Sequence, residues 1–255
     1  MTASILVGGV SELFQSDLDL GRLAVERLQA EGWGEHVLVE DLHYGAVAVV
    51  QRLEDLDLET LVLISAVRRD RVPGCVERRR VEPSPLSVEE LQVAVGDAVT
   101  GYVHVDLIID VATGLGELPS RTVVVEVEPE RTDAGEGLSE PGKAGLEEAL
   151  EVVRAEIRRA PLLSLADSLR PLVEGDRLEP SVSHTALRDL LDELRVLDRE
   201  GRWGGAFSLR DRLRLRLAHS DSSEGMDPQD WALWWGLIEE IDRLERLEVA
   251  GGLPA

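Results

Sequence analysis

"SILVGGVSELFQSDLDLGRLAVERLQAEG" (residues 4–32) decides how the first half of the chain is read. It opens on a short apolar run, Ser4 to Val10, broken by glycine, which is the pattern of a buried strand. Leu20, Leu23, Ala24 and Leu28 then recur at helical spacing, and the pattern stops at Gly32. Strand, loop and helix in this order open an α/β unit. The loop between them, "SDLDLG" (16–21), sets Asp17 and Asp19 on either side of Leu18. Loops at that position are where α/β proteins place their chemistry.

The alternation continues outward. "HVLVED" (36–41), "TLVLISAV" (60–67) and "RTVVVEVEPE" (121–130) read as strands, and "GAVAVVQRLEDLD" (45–57) and "GKAGLEEALEVVRAEIRR" (142–159) as helices. "CVERRRVE" (75–82) alternates like an edge strand. In "SVEELQVAVGDAV" (87–99), Ser87 and Glu90 have capping-box spacing ahead of a helical pattern. "YVHVDLIIDVAT" (102–113) is β-branched and apolar throughout, and fits a strand or a buried helix equally. The expectation is an α/β fold over residues 1–159: a three-layer α/β/α domain with a mostly parallel sheet. Strands that are continuous apolar runs need helices on both faces.

The texture changes near residue 160. "APLLSLADSLRPLVEGDRLEPSVS" (160–183) holds three prolines and reads as a linker with a short helix, assigned to residues 160–182. Residues 183–255 read as a helical module. There "SHTALRDLLDELRVLDREG" (183–201) is helical, and "MDPQDWALWWGLIEEIDRLERLEVA" (226–250) starts with Asp227 as cap and Pro228 at the first helical position. Trp231, Trp234 and Trp235 form a stripe on that second helix, readable as a small core or as an anchor for a partner.

The composition excludes several functions. A formal charge of −23 opposes binding of nucleic acid, which needs a basic surface. Cys75 is the one cysteine, so an internal disulfide and a cysteine-based zinc site are both impossible. The N-terminus lacks the basic and apolar segments of a signal peptide, and no apolar run approaches the roughly 20 residues that span a bilayer. A cytoplasmic protein is the expectation, with no membrane association.

Four motifs in order carry a resemblance to a known family. "GVSELFQSDLDLG" (9–21) follows the form G-x-G-N-x-x-x-x-D-E-G-x-G, with Gly9, Asp17 and Gly21 in register. "VLVEDLHYGAVAVVQRL" (37–53) has a strand ending in Asp41 before a glycine-led helix. "LVLISAVRRDRVPGCV" (61–76) has a strand and then a proline–glycine turn. "LGELPSRTVVVEVEPERTDAGEGLSEPGKAGLEEALEVV" (115–153) has G-x-L-P, a valine-rich strand ending in Glu-Pro, then G-x-x-L-S and a closing helix. Over about residues 4–157 the chain resembles the hydrogenase maturation proteases, endopeptidases that trim the C-terminus of the large subunit of nickel–iron hydrogenases. The resemblance implies that fold, a nickel-directed peptidase site, and the hydrogenase large subunit as partner.

The family's three metal-binding positions do not carry their residues here. The glutamate after the loop aspartate is Leu18, and the aspartate ending the third strand falls on Ser65. The histidine, counted back without gaps eighteen residues from Pro119, falls on Gly101, with His104 nearby. Leucine and glycine side chains offer no lone pair to a metal, and a neutral hydroxyl is a poor ligand. The expectation is therefore a pseudo-protease with no metal cofactor. Leu18 would plug the vacated site, and Asp17 or Asp19 would cap the following helix. His104, Asp106 and Asp110 read as ordinary polar residues and not as a metal cluster. Such a protein would be a binding or assembly factor for the large subunit or another complex, with self-association allowed. An endopeptidase with an altered site and a scaffold recruited elsewhere are the alternatives.

Overall fold

The computed structural model describes residues 3–82, 84–99, 103–174 and 182–201, and five further positions between 236 and 243. Five strands form one sheet: β1 (Ile5–Val10), β2 (Val37–Asp41), β3 (Thr60–Ala66), β4 (Val76–Val81) and β5 (Arg121–Val127), in the order β2-β1-β3-β5-β4. β1 pairs in parallel with β2 and β3, and β3 with β5. β4 joins β5 antiparallel at the edge, with Val76 opposite Val127. The strand read as an edge is the edge, and its "RRR" run blunts it against pairing with another chain.

Helices cover both faces. α1 (Leu20–Ala30) packs on β1, and its Arg27 and Glu31 pair with Glu147 and Arg154 of α5 (Glu140–Glu174). α2 (Ala46–Glu54), α3 (Val88–Val99) and α4 (Val105–Leu115) close a core around Leu6, Leu61, Leu63 and Val124. Each of these sheet residues is fully buried, which explains why the strands lack the polar alternation of a half-exposed sheet.

The ambiguous segment 102–113 resolves as helix α4. Val105, Ile108, Val111 and Ala112 are buried at helical spacing. His104 caps its start, and Gly116, at φ 80, ends it in the left-handed conformation that glycine adopts without cost.

The reading of residues 160–182 as a linker differs from what forms. α5 runs on to Glu174 through Pro161 and Pro171, and α6 (Val182–Glu200) follows. Each proline removes one helical hydrogen bond. Burial of Leu162, Leu163, Ala166 and Leu169 along the same helix offsets that loss. The chain divides into two compact units, Met1–Ile157 and Arg158–Ala255. In the second, Arg170 donates to the Leu191 carbonyl at 3.3 Å, and Arg243 to the Arg158 carbonyl at 2.6 Å. Trp231, Trp234 and Trp235 lie outside the described residues.

α1 reaches β1 so closely because two glycines meet. A Cβ on Gly9 would lie on the carbonyl oxygen of Gly21, and one on Gly21 would come within 2.5 Å of the Val10 carbonyl oxygen. Both obstacles are backbone, so no rotamer change relieves them. Gly9→Ala or Gly21→Ala is expected to lower stability by about 2–3 kcal/mol, the cost of overpacking a rigid contact. Urea denaturation followed by circular dichroism measures it.

Candidate functional site

A cavity of about 360 Å³ opens at the C-terminal ends of β1 and β3. The chain leaves β1 for β2 on one side of the sheet, and β3 and β5 lie on the other. The crevice between β1 and β3 is thus the topological switch point, where open α/β sheets take their ligands. Val10 and Ser11 leave β1 along its floor, Ser65 ends β3 beside them, and Leu18, Val103 and His104 form the walls.

Leu18 and Ser65, from two separate motifs, are therefore brought together. Of the two candidates for the third position, His104 lines the cleft, and Gly101, reached by counting without gaps, lies outside the described residues. The reading of Leu18 is corrected. It is half-buried on the cleft wall and does not plug it, so the cavity stays open.

The three side chains have defined chemistry. Ser65 is buried, and its hydroxyl donates to the Val10 carbonyl at 2.9 Å, so its proton is spent on the main chain. His104 caps α4: its Nδ1 accepts the Leu107 N–H at 3.1 Å. An imidazole accepting at Nδ1 carries its proton on Nε2. A metal-ligating histidine has the opposite arrangement, with one nitrogen donating to a protein acceptor and the other's lone pair on the ion. Leu18 offers nothing. This donor set does not fit a nickel ion. Among the described residues no group of three or more histidine, cysteine, aspartate or glutamate side chains is arranged to hold a metal.

Neither loop aspartate caps α1 with its side chain. Asp19 stands at the cap position but turns to Arg22, whose Nε lies 2.9 Å from Oδ1. The N–H of Arg22 goes instead to the Ser11 hydroxyl at 2.6 Å. This cap comes from the end of β1, and local sequence offers no signal for it. Asp17 is fully buried and ties down the loop after β5. It accepts N–H groups of Glu130 and Arg131 at 2.9 Å and of Ser139 at 2.7 Å, and the Ser139 hydroxyl at 2.8 Å. Burial pushes its carboxyl upward, but these donors outweigh burial and hold it below the usual aspartate range.

Glu12, Arg68 and Thr132 also line the cleft, and the motifs did not single them out. Arg68 Nη2 donates to Thr132 Oγ1 at 2.7 Å. Asp106 pairs with Arg69 at 2.7 Å and Arg79 at 3.1 Å and does not join His104. Asp110 is exposed on α4, and its carboxyl is raised by burial of the group and by the charge of Asp106.

The fold and cleft define a class: an α/β protein with a binding crevice at its strand switch point. Among solved structures, the chain is similar to the hydrogenase maturating endopeptidase HybD from Escherichia coli, at 22% identity over 61% of this chain and 93% of that one, with a TM-score of 0.47. It is similar to a hydrogenase 2 maturation peptidase from a Thaumarchaeota archaeon, at 20% identity over 60% and 97%, with a TM-score of 0.43. A [NiFe] hydrogenase maturation protease HybD from Thermococcus kodakarensis is similar at 16% identity over 58% and 95%, with a TM-score of 0.42. No protein-family model matches the sequence, and no curated protein matches it. No helix among the described residues is long and apolar enough to cross a membrane.

Asp17→Asn is expected to destabilise the protein by about 3 kcal/mol, because an amide nitrogen would face donors that now meet a carboxylate oxygen. The folded-state pKa of Asp17 is depressed, so its contribution is complete above the unfolded value of about 3.9 and is lost as pH falls through the folded value. The stability gap between wild type and variant should therefore narrow below about pH 3.9. Urea denaturation midpoints measured at neutral and acidic pH test both statements.

Proposed function

We propose that this chain is a hydrogenase maturation protease-like protein that binds a protein partner without cleaving it. It acts as an assembly factor, and the hydrogenase large subunit is the first partner to test. One observation carries the reading. The cleft at the switch point is built, yet the residues at its three ligand positions are Leu18, Ser65 and His104. The first has no lone pair, the second is a neutral hydroxyl hydrogen-bonded to the backbone, and the third has committed Nδ1 to a helix cap.

A dication placed there would meet no carboxylate from Leu18 or Ser65 to balance its charge. The Ser65 hydroxyl donates to the Val10 carbonyl, and His104, the histidine in the cleft, presents an N–H and not the lone pair that a general base needs. Both arrangements argue against hydrolysis, by metal or by serine. The reading keeps the cleft as a recognition surface.

Purified protein incubated with nickel-loaded large subunit is expected to form a complex and to leave the subunit's mass unchanged. Loss of a C-terminal peptide by mass spectrometry would mean an active endopeptidase with an altered site. Recovery of a different complex, with no large subunit, would mean a scaffold recruited elsewhere. Leu18→Glu alone is expected to give no stoichiometric nickel by elemental analysis, because Ser65 and His104 would still not serve as ligands.

A further inference from the structure

The cleft's remaining polar groups form a pattern that a vacated metal site does not explain. Three arginines stand close together in the loop after β3, and two have carboxylate partners. Arg69 pairs with Glu126 at 2.9 Å, and Arg71 with the same carboxylate at 2.5 Å. Arg68 alone of these three turns to the cleft. Its only described partner is the neutral Thr132 hydroxyl, which orients the guanidinium without neutralising it. His104 adds an N–H at Nε2, since Nδ1 is taken by the cap. Leu18 and Ser65 bring no charge, which leaves Glu12 as the carboxylate in the cleft lining. Arg68 thus brings to the cleft a positive charge that no described carboxylate pairs with.

The rim beside it is apolar and held in place. Leu13 is 40% exposed and Phe14 64% exposed, next to Glu12 of the cleft. Phe14 has φ 60, the left-handed region that a bulky residue enters only when its surroundings enforce it. The enforcement is visible: Gly135 N–H donates to the Phe14 carbonyl at 2.9 Å, Ser16 N–H to the Gly135 carbonyl at 3.0 Å, and Glu12 N–H to the Leu18 carbonyl at 3.0 Å. Two large apolar side chains displayed on a pinned loop are pre-organised for contact, so little ordering cost remains on binding.

We propose that the cleft is a carboxylate-recognition site, and that its occupant is an acidic side chain on an extended segment of the partner polypeptide. Arg68 takes the carboxylate, His104 supplies a further N–H, and Leu13 and Phe14 hold an apolar neighbour on the same segment. Glu12 has no side-chain partner among the described residues and accepts a main-chain N–H of the segment. The acidic surface elsewhere repels such a ligand, but beyond about 8 Å that repulsion is screened at physiological salt. Specificity then falls to the cleft. The inference rests on the reading of the cleft as a binding site without hydrolysis.

The test is isothermal titration calorimetry of the full chain with acetyl-Leu-Glu-Leu amide, its glutamine counterpart, sodium benzoate and nickel chloride. The glutamate peptide is expected to bind at least about tenfold tighter than the glutamine peptide, the discrimination expected of a charge-assisted hydrogen bond. Arg68→Gln is expected to abolish that difference, and Phe14→Ser to weaken both peptides together. Glu12→Gln is expected to tighten the glutamate peptide severalfold by removing a like charge. Arg68 and Phe14 are exposed, so circular dichroism should confirm folded variants. Equal binding of the two peptides, or a Glu12→Gln variant that binds the glutamate peptide more weakly, overturns the proposal. Benzoate binding as tightly as the peptide, with no effect of Phe14→Ser, reassigns the site to small carboxylates and overturns the polypeptide part. Stoichiometric nickel binding overturns the reading under Proposed function, whatever the peptides do.

Discussion

The geometry of the cleft depends on one buried carboxylate. Asp17 sits with no exposure between β1 and α1, and placing a charge there costs several kcal/mol unless it is fully hydrogen-bonded. Four donors from the 130–139 segment meet it. The interaction is therefore a clamp between two loops that are far apart in sequence. It places the turn that carries Leu18 against the segment that carries Thr132, and these two residues face one cleft. The Gly9–Gly21 contact does the complementary task from below, bringing α1 down onto β1 so that the loop between them must arch over the strand ends.

The same logic of buried, satisfied charge runs through the sheet's other side. Glu126, on β5, is nearly buried and is surrounded by Arg69, Arg71 and Arg79. Burial pushes its carboxyl up, and the hydrogen bonds of Arg69 and Arg71 hold it below the usual range. Glu156 of α5 is met in turn by Arg78 and Arg121. These networks explain how a strongly acidic chain uses its arginines. Many are internal neutralisers of carboxylates that the fold buries, and Arg68, turned to the cleft, is not one of them. This is also why net charge, a sum over the whole surface, gave no indication of a cationic group in the cleft.

The sequence made the front domain legible because its signals are local. Continuous apolar runs marked β1, β3 and β5, an alternating arginine-rich run marked the edge, and the order of strands and helices implied the parallel sheet. Segment 102–113 was undecidable for a physical reason: a helix buried over most of its circumference has the same hydrophobicity as a buried strand. The extension of α5 to Glu174 was hidden because proline argues locally against a helix, while the leucine burial that offsets it is tertiary. The site was legible in part. Leu18 and Ser65 were placed by motif and meet in the cleft, while the third position was open between Gly101 and His104, since a count along the chain does not know the length of a turn. Ser11 as the cap of α1 and Asp17 as a latch on a distant loop left no local pattern at all.

The character of the cleft is set by few groups. Glu12 brings a carboxylate, Arg68 a guanidinium and His104 an N–H, while Leu18 is a hydrocarbon and Ser65 a hydroxyl turned to the backbone. The histidine has been absorbed into the folding of α4, where Nδ1 satisfies one of the helix's unpaired N–H groups. That use makes the tautomer a property of the fold, not of any ligand. It leaves His104 with an N–H at Nε2, and the helix would need a different cap before that nitrogen could offer a lone pair. The cleft's present chemistry is therefore held by the same hydrogen bond that starts α4, and a polar group that accepts hydrogen bonds is the ligand that chemistry suits.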